Sequence, residues 1–233
     1  MTAPVIHRIT TLDLRLEPWR WPFADLRRAE IDAHFAQARA LLPELWNGRV
    51  LLGRRPVFAG ERFSALYFET DFASFLAWRD WGFPDRSVFN GFGMGALRGC
   101  DGVFVLGEMG QGTANAGRVY FPSGMPDLDD LRGDVVDIAG SVAREVAEET
   151  ALLPADYRAH AHWDCVVSDG SIAMIRILDL DWSGAALRAR IEANLAQQAQ
   201  PELAAIHLVH DLSDLTGAMP RFVTAFLQQE LAR

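Results

Sequence analysis

The sequence predicts an α+β protein, and three observations carry that reading. Runs of β-branched, aromatic and apolar residues recur at 5–17, 49–59, 62–69, 157–167 and 171–180, long enough for strands but too short for helices. Other segments return apolar residues at three- and four-residue steps, as at 24–42, 184–198 and 219–231. Turn formers such as Asn47-Gly48, Ala59-Gly60-Glu61 and Ser168-Asp169-Gly170 separate them.

Residues 5–17 alternate loosely and are rich in Ile, Thr and Leu, so a strand is expected until Trp19-Arg20-Trp21-Pro22 breaks it. Leu26, Ala29, Ala33, Phe35, Ala36 and Ala40 then mark a helix over 24–42, with Pro43 at its end. Segments 49–59 and 62–69 read as a hairpin, and Asp71 as the cap of a short aromatic helix, Phe72 to Trp81. Residues 82–95, GFPDRSVFNGFGMG, are dense in glycine and turn formers, and a hinge is expected there. Gly91, Gly93 and Gly95 match neither a P-loop nor a dinucleotide fingerprint; a turn into the next strand is the better reading.

Beyond the hinge, Leu97 and Val103–Gly107 read as strands broken by Gly99-Cys100-Asp101-Gly102. A glycine-rich loop over 109–117 precedes a short strand, 118–121. A second hairpin is expected at 157–167 and 171–180, an amphipathic helix at 184–198, a buried strand at 203–209, and a closing helix at 219–231 with Pro220 in its first turn.

Composition narrows the function classes. Half of the 233 residues are hydrophobic and 23% are charged, which suits a globular chain with a large core. A net charge of -9 argues against non-specific binding to nucleic acid or an anionic membrane, and no apolar run approaches a bilayer span. Cys100 and Cys165 are the only cysteines, with no zinc spacing and no disulfide framework. The N-terminus lacks a basic region followed by an apolar core, so no signal peptide and a cytoplasmic location are expected.

The most informative stretch is 133–152, GDVVDIAGSVAREVAEETAL. On a helix, Glu145, Glu148 and Glu149 stand at i, i+3 and i+4 and share one face, with Arg144 flanking them. The chain contains no lysine, so this face has no ammonium partners at helical spacing. Crowded carboxylates suit a hard divalent cation such as Mg²⁺ or Mn²⁺. Asp137 is the expected N-cap, and Pro154 lies past the end.

These residues resemble the Nudix box, G-x5-E-x7-R-E-U-x-E-E-x-G-U, with U a bulky aliphatic residue. Arg144, Glu145, Val146, Glu148, Glu149 and Leu152 match its helical half, and Phe121-Pro122-Ser123-Gly124 looks like the strand-end turn that opens it. Two departures stand out. The loop after Gly124 is longer than the pattern, with Val136 where its acid would fall, so Asp130, Asp134 or Asp137 must supply the carboxylate that braces the arginine. Ala151 replaces the usual glycine after the helix, where a left-handed conformation is common.

The resemblance implies an α/β/α sandwich, a mixed sheet between helices, for residues 95–233, preceded by an αβ extension over 1–94. Such extensions serve dimerisation or cover the substrate site in similar enzymes, so a homodimer is among the expected assemblies. It also implies hydrolysis of a nucleoside diphosphate linked to another group X, an NDP-sugar being the leading choice. Glu148 and Glu149 are then the first metal ligands, Glu145 a third ligand or the group that orients water, and Arg144 their organiser. The Ser123 carbonyl would complete the metal shell, and Gly124, Arg118 and Arg98 are candidate substrate contacts. Glu202 is either a distal base or an exposed loop glutamate. Trp81, Phe83 and Phe92 are candidates for stacking a base or for core packing. The competing reading is a catalytically silent nucleotide-binding or regulatory module, whose usual mark is loss of box glutamates; none is lost here.

Overall fold

The computed structural model describes residues 3–232. The N-terminal strand region divides at Thr10 into β1 (Val5–Ile9) and β2 (Thr11–Leu16). The first helical region likewise divides, into α1 (Pro22–Leu26) and α2 (Arg28–Leu41). The hairpin β3 (Arg49–Ala59) and β4 (Arg62–Asp71) turns at Gly60, whose φ of 57° suits glycine. In α3 (Phe72–Asp80) the Asp71 carboxylate accepts from the Ser74 N–H at 2.9 Å, satisfying an orphan donor of the first turn.

Next come β5 (Val88–Arg98), β6 (Phe104–Met109) and the short β7 (Val119–Tyr120). The long box loop contains a 3-10 turn at Leu128–Asp130 and a small hairpin of β8 (Leu131–Arg132) and β9 (Val135–Val136) turning at Gly133, none of which the sequence reading foresaw. It leads to α4 (Ile138–Thr150), capped by Asp137 as expected, through a 2.9 Å bond from the Gly140 N–H. The chain closes with β10 (Tyr157–Ala159), β11 (Trp163–Ser168), β12 (Ser171–Leu180), α5 (Gly184–Leu195), β13 (Leu203–Val209) and α6 (Arg221–Leu231).

This is the expected α+β class, with a mixed sheet and helices packed on it. Among the described residues, one 13-stranded sheet follows the path β1-β11-β12-β5-β3-β4-β2-β9-β8, with β6, β7, β10 and β13 branching from it. The β12–β5 and β2–β4 pairs are parallel; the remaining pairs are antiparallel. No helix among the described residues is long and apolar enough to cross a membrane.

The hinge expected over 82–95 is corrected. Gly82 and Phe83 do turn, both at positive φ, but from Val88 onward the stretch is strand β5, and a boundary at 94/95 would cut it. The glycines have a packing reason instead. A Cβ on Gly93 would come within 2.7 Å of side-chain methyls of Val142 and Ile138, and one on Gly95 within 2.7 Å of a Val146 methyl. Bare backbone there lets α4 seat directly on the strand.

Residues 1–94 are also woven into the rest. β1 pairs with β11, and Arg8 makes a two-pronged ion pair with the buried Asp164, both bonds 3.0 Å. Alternation along β3 and β4 sends Leu51, Phe63 and Tyr67 into the main core shared with α4 to α6. It sends Val50, Leu52 and Phe68 into a second, aromatic core with Trp21 and Trp78 under α1 to α3.

Candidate active site

Helix α4 brings the acidic residues into three different environments. Val142 and Val146 are buried against β5, which turns Glu145 and Glu149 toward the box loop and leaves Glu148 at the surface, 60% exposed. Arg144 ties them together. It donates to both Asp130 oxygens at 3.2 and 3.1 Å, lies 2.7 Å from Glu145 and 3.7 Å from Glu148.

Of the three acids proposed to brace Arg144, Asp130 does so. Its buried carboxylate also accepts from Ser141 Oγ and the Asp127 N–H, both at 3.1 Å, locking loop to helix. Asp134 instead pairs with Arg15, and Asp137 caps α4. The extra length of the loop is taken up by the β8–β9 hairpin, so Asp130 reaches the arginine from an unexpected position in sequence.

Strand-end residues complete the floor. The Ser123 N–H donates to Glu149 Oε1 at 3.3 Å. Gly124 faces the Glu145 carboxylate so closely that a Cβ would lie 2.1 Å from Oε1. An added Cβ would push that carboxylate aside. After the helix, Ala151 does adopt the left-handed conformation, at φ 57° and ψ 20°.

Burial and mutual repulsion shift these acids. Removal from water pushes the Glu145 carboxyl up to about 7; Arg144 opposes this, and Glu148, Glu202 and Asp130 add to it. Glu149, only 4% exposed, is raised well above the ordinary carboxylate range, first by burial, then by the charges of Glu202 and Glu145. Glu202 is raised too, by the protein around it and then by Glu148, although the residue is exposed at the surface. Folding therefore carries Glu202 from a remote loop to the acidic face.

The cluster opens on a cavity of about 610 Å³, a size typical of small-molecule sites. Ser123, Gly124, Glu145, Glu202 and Arg118 line it, and Arg118 has no acidic partner among the described residues. Arg98 is not brought here. It is held by Asp179 at 2.8 Å and by His160 at 3.2 Å, an ion-paired role at the far end of β5. Of the proposed stacking residues only Phe92 lines the cavity; Trp81 lies under Arg27 and beside Phe23, and Phe83 packs edge-on against Trp78. Phe72, Phe75 and Arg79 of α3 and Phe222 of α6 also line it. Sequence reasoning missed them because they belong to elements distant in the chain, though the aromatic run after Asp71 was a signal.

No group of three or more His, Cys, Asp and Glu side chains among the described residues is gathered at metal-ligating distances. Glu145 turns to Arg144 and Glu149 to the Ser123 N–H. The donor chemistry fits a hard divalent cation: Glu145, Glu148, Glu149 and Glu202 are coupled electrostatically, and Arg144 is paired with this group.

In structure the chain is similar to the MutT protein from Methanosarcina mazei Go1, at 16% identity over 61% of this chain and 92% of that one, with a TM-score of 0.38. It is also similar to a Nudix hydrolase from M. smegmatis, RenU, at 12% identity over 60% and 80% of the two chains, with a TM-score of 0.38. No family model matches the sequence, and no curated protein matches it.

Proposed function

We propose that this chain is a Nudix-type pyrophosphohydrolase that depends on Mg²⁺ or Mn²⁺ and cleaves the phosphoanhydride of a nucleoside diphosphate linked to X, with NDP-sugars as the first substrates to test. The observation that carries the reading is the convergence of Glu145, Glu148, Glu149 and Glu202 beside a small-molecule cavity, with Arg144 anchored by Asp130. Glu148, Glu149 and Glu145 are the residues to hold the metal, with the Ser123 carbonyl beside them. A bound divalent cation neutralises phosphate charge and lowers the pKa of water.

The chain's own residues do the rest. Arg144, fixed by Asp130, holds Glu145 against Gly124. Glu145 is either a third metal ligand or the group that orients the attacking water, and Glu202, which lines the same cavity, is the second candidate for the water. Arg118, which has no acidic partner among the described residues, offers its positive charge to a phosphate. Phe72, Phe75 and Arg79 bring residues 1–94 into the choice of X.

The test is turnover of a panel of nucleoside diphosphate derivatives with Mg²⁺, with excess EDTA, and by Glu148→Gln. We expect EDTA to abolish turnover, the variant to lose orders of magnitude, and ¹⁸O from water to enter a phosphate-bearing product. Full turnover in EDTA, or label on a sugar carbon alone, would overturn the reading. Ligand-induced stabilisation without turnover would support the catalytically silent module instead.

A further inference from the structure

A second cavity, of about 600 Å³, adjoins the first and is lined by α3 and the glycine-rich loop before β7. No residue of α4 lines it, nor does Ser123, Gly124 or Glu202. Arg79 and Arg118 line both cavities and so stand where the two meet. Arg79 Nε donates to Asp80 Oδ1 at 2.9 Å, and its two Nη groups have no hydrogen-bond acceptor among the described residues. The other Asp80 oxygen lies 2.9 Å from His34 Nε2. Arg118 has no acidic partner among the described residues. Among those residues Asp80 is the one acid in the wall of the second cavity, against two guanidinia. The balance of charge is therefore reversed here, in a chain whose net charge is -9.

We infer that X lodges in the second cavity and carries its own negative charge, a carboxylate or a phosphate ester held by the Nη groups of Arg79. This rests on the phosphoanhydride reading above and names the class of X. In that reading the diphosphate meets Arg118 at the junction of the cavities and the cation-binding acids beyond it, which leaves the Arg79 fork over. A guanidinium is always charged, and its parallel N–H groups match the two oxygens of a carboxylate or phosphate. A neutral sugar would be served by mixed donors and acceptors and would leave that charge unanswered. The glutamates of α4 repel an anionic X, so its charge belongs in a cavity whose wall excludes them.

The probes are pairs that differ only in the group bearing that charge. UDP-glucose with UDP-glucuronate and GDP-mannose with GDP-mannuronate test a carboxylate; ADP-ribose with its terminal 1-phosphate tests a phosphate. On the full-length protein in Mg²⁺, kcat/KM gives the preference within a pair where there is turnover, and the calorimetric Kd gives it where there is none. Absence of turnover therefore tells against the phosphoanhydride reading alone. We expect the wild type to favour the anionic member of at least one pair by about ten-fold or more, the worth of one charge-assisted hydrogen bond. Whether it is a carboxylate or a phosphate pair says which group X bears. The preference should shrink as salt is raised and vanish in Arg79→Gln. Arg79→Lys keeps the charge and should keep part of the preference. The inference fails if no pair binds, if every neutral member serves as well as its anionic partner, or if the preference survives in Arg79→Gln. Equal loss in Arg79→Gln and Arg79→Lys would also overturn it, since a disturbed helix and not a missing charge would then be the cause.

Discussion

Ala151 and Glu145 show how much a single residue decides. A left-handed φ costs an L-residue with a Cβ about 1–2 kcal/mol, part of which glycine gives back through its looser unfolded chain. Ala151→Gly should therefore stabilise the protein by about 0.5–1 kcal/mol, read from the midpoint of urea unfolding; a loss of stability would show that the methyl packs usefully. Glu145 makes a pH-dependent contribution. Its carboxyl sits at about 7 when folded and near 4.5 when unfolded, so between those values the native state holds the proton and the unfolded state does not. Stability from this group is full below pH 4.5 and is lost as pH rises through 7, on the order of 3 kcal/mol in all. In EDTA, melting temperature should fall across that window, and Glu145→Gln should flatten the fall. An unchanged slope in the variant would assign the dependence elsewhere.

At the scale of elements, the seating of α4 on β5 controls the site, because the helix carries three of its glutamates and Arg144. Three strand glycines could pass for a flexible loop on composition alone, yet Gly93 and Gly95 are buried under Val142, Ile138 and Val146. Branched side chains cannot swing away from an added methyl as a long flexible chain could. Gly93→Ala should cost about 1–3 kcal/mol by overpacking, and should lower turnover further by tilting the acidic face. Unfolding midpoint and initial rate, measured together, check both; a fully active variant of wild-type stability would mean that the helix has room to shift. The box loop is an element of the same kind. Its hairpin is too short to stand alone, and it is held by neighbours: the Leu51 N–H donates to Pro126 O at 2.8 Å, and the Leu16 N–H to Asp134 O at 2.7 Å.

For the whole molecule, those bonds come from residues 1–94, so the N-terminal part braces the loop before α4 as well as lining the cavity. β1 covers β11, β2 flanks β9, and Arg8 neutralises Asp164, which is 1% exposed. Removing residues 1–81 would expose the β11 edge and leave that carboxylate without its guanidinium, at a cost of several kcal/mol. The remainder should not unfold cooperatively in urea, followed by circular dichroism; a sharp transition in the truncated chain would show that the two parts fold separately.

The sequence by itself determined the α+β class, most element positions, the Asp71 and Asp137 caps, and the Glu145, Glu148, Glu149 and Arg144 face. Each of these follows from interactions within a few residues, where helical and strand periodicities hold. Tertiary structure alone decided which of three aspartates braces Arg144, that Glu202 joins the cluster, that Arg98 is spent on Asp179, and that α3 walls the cavity. Those outcomes depend on pairings such as β12 beside β5 and β2 beside β9, which bring together residues separated by 80 or more positions. No local pattern encodes such pairings: they are chosen by the burial of a shared core, and a strand's own residues do not name its neighbour.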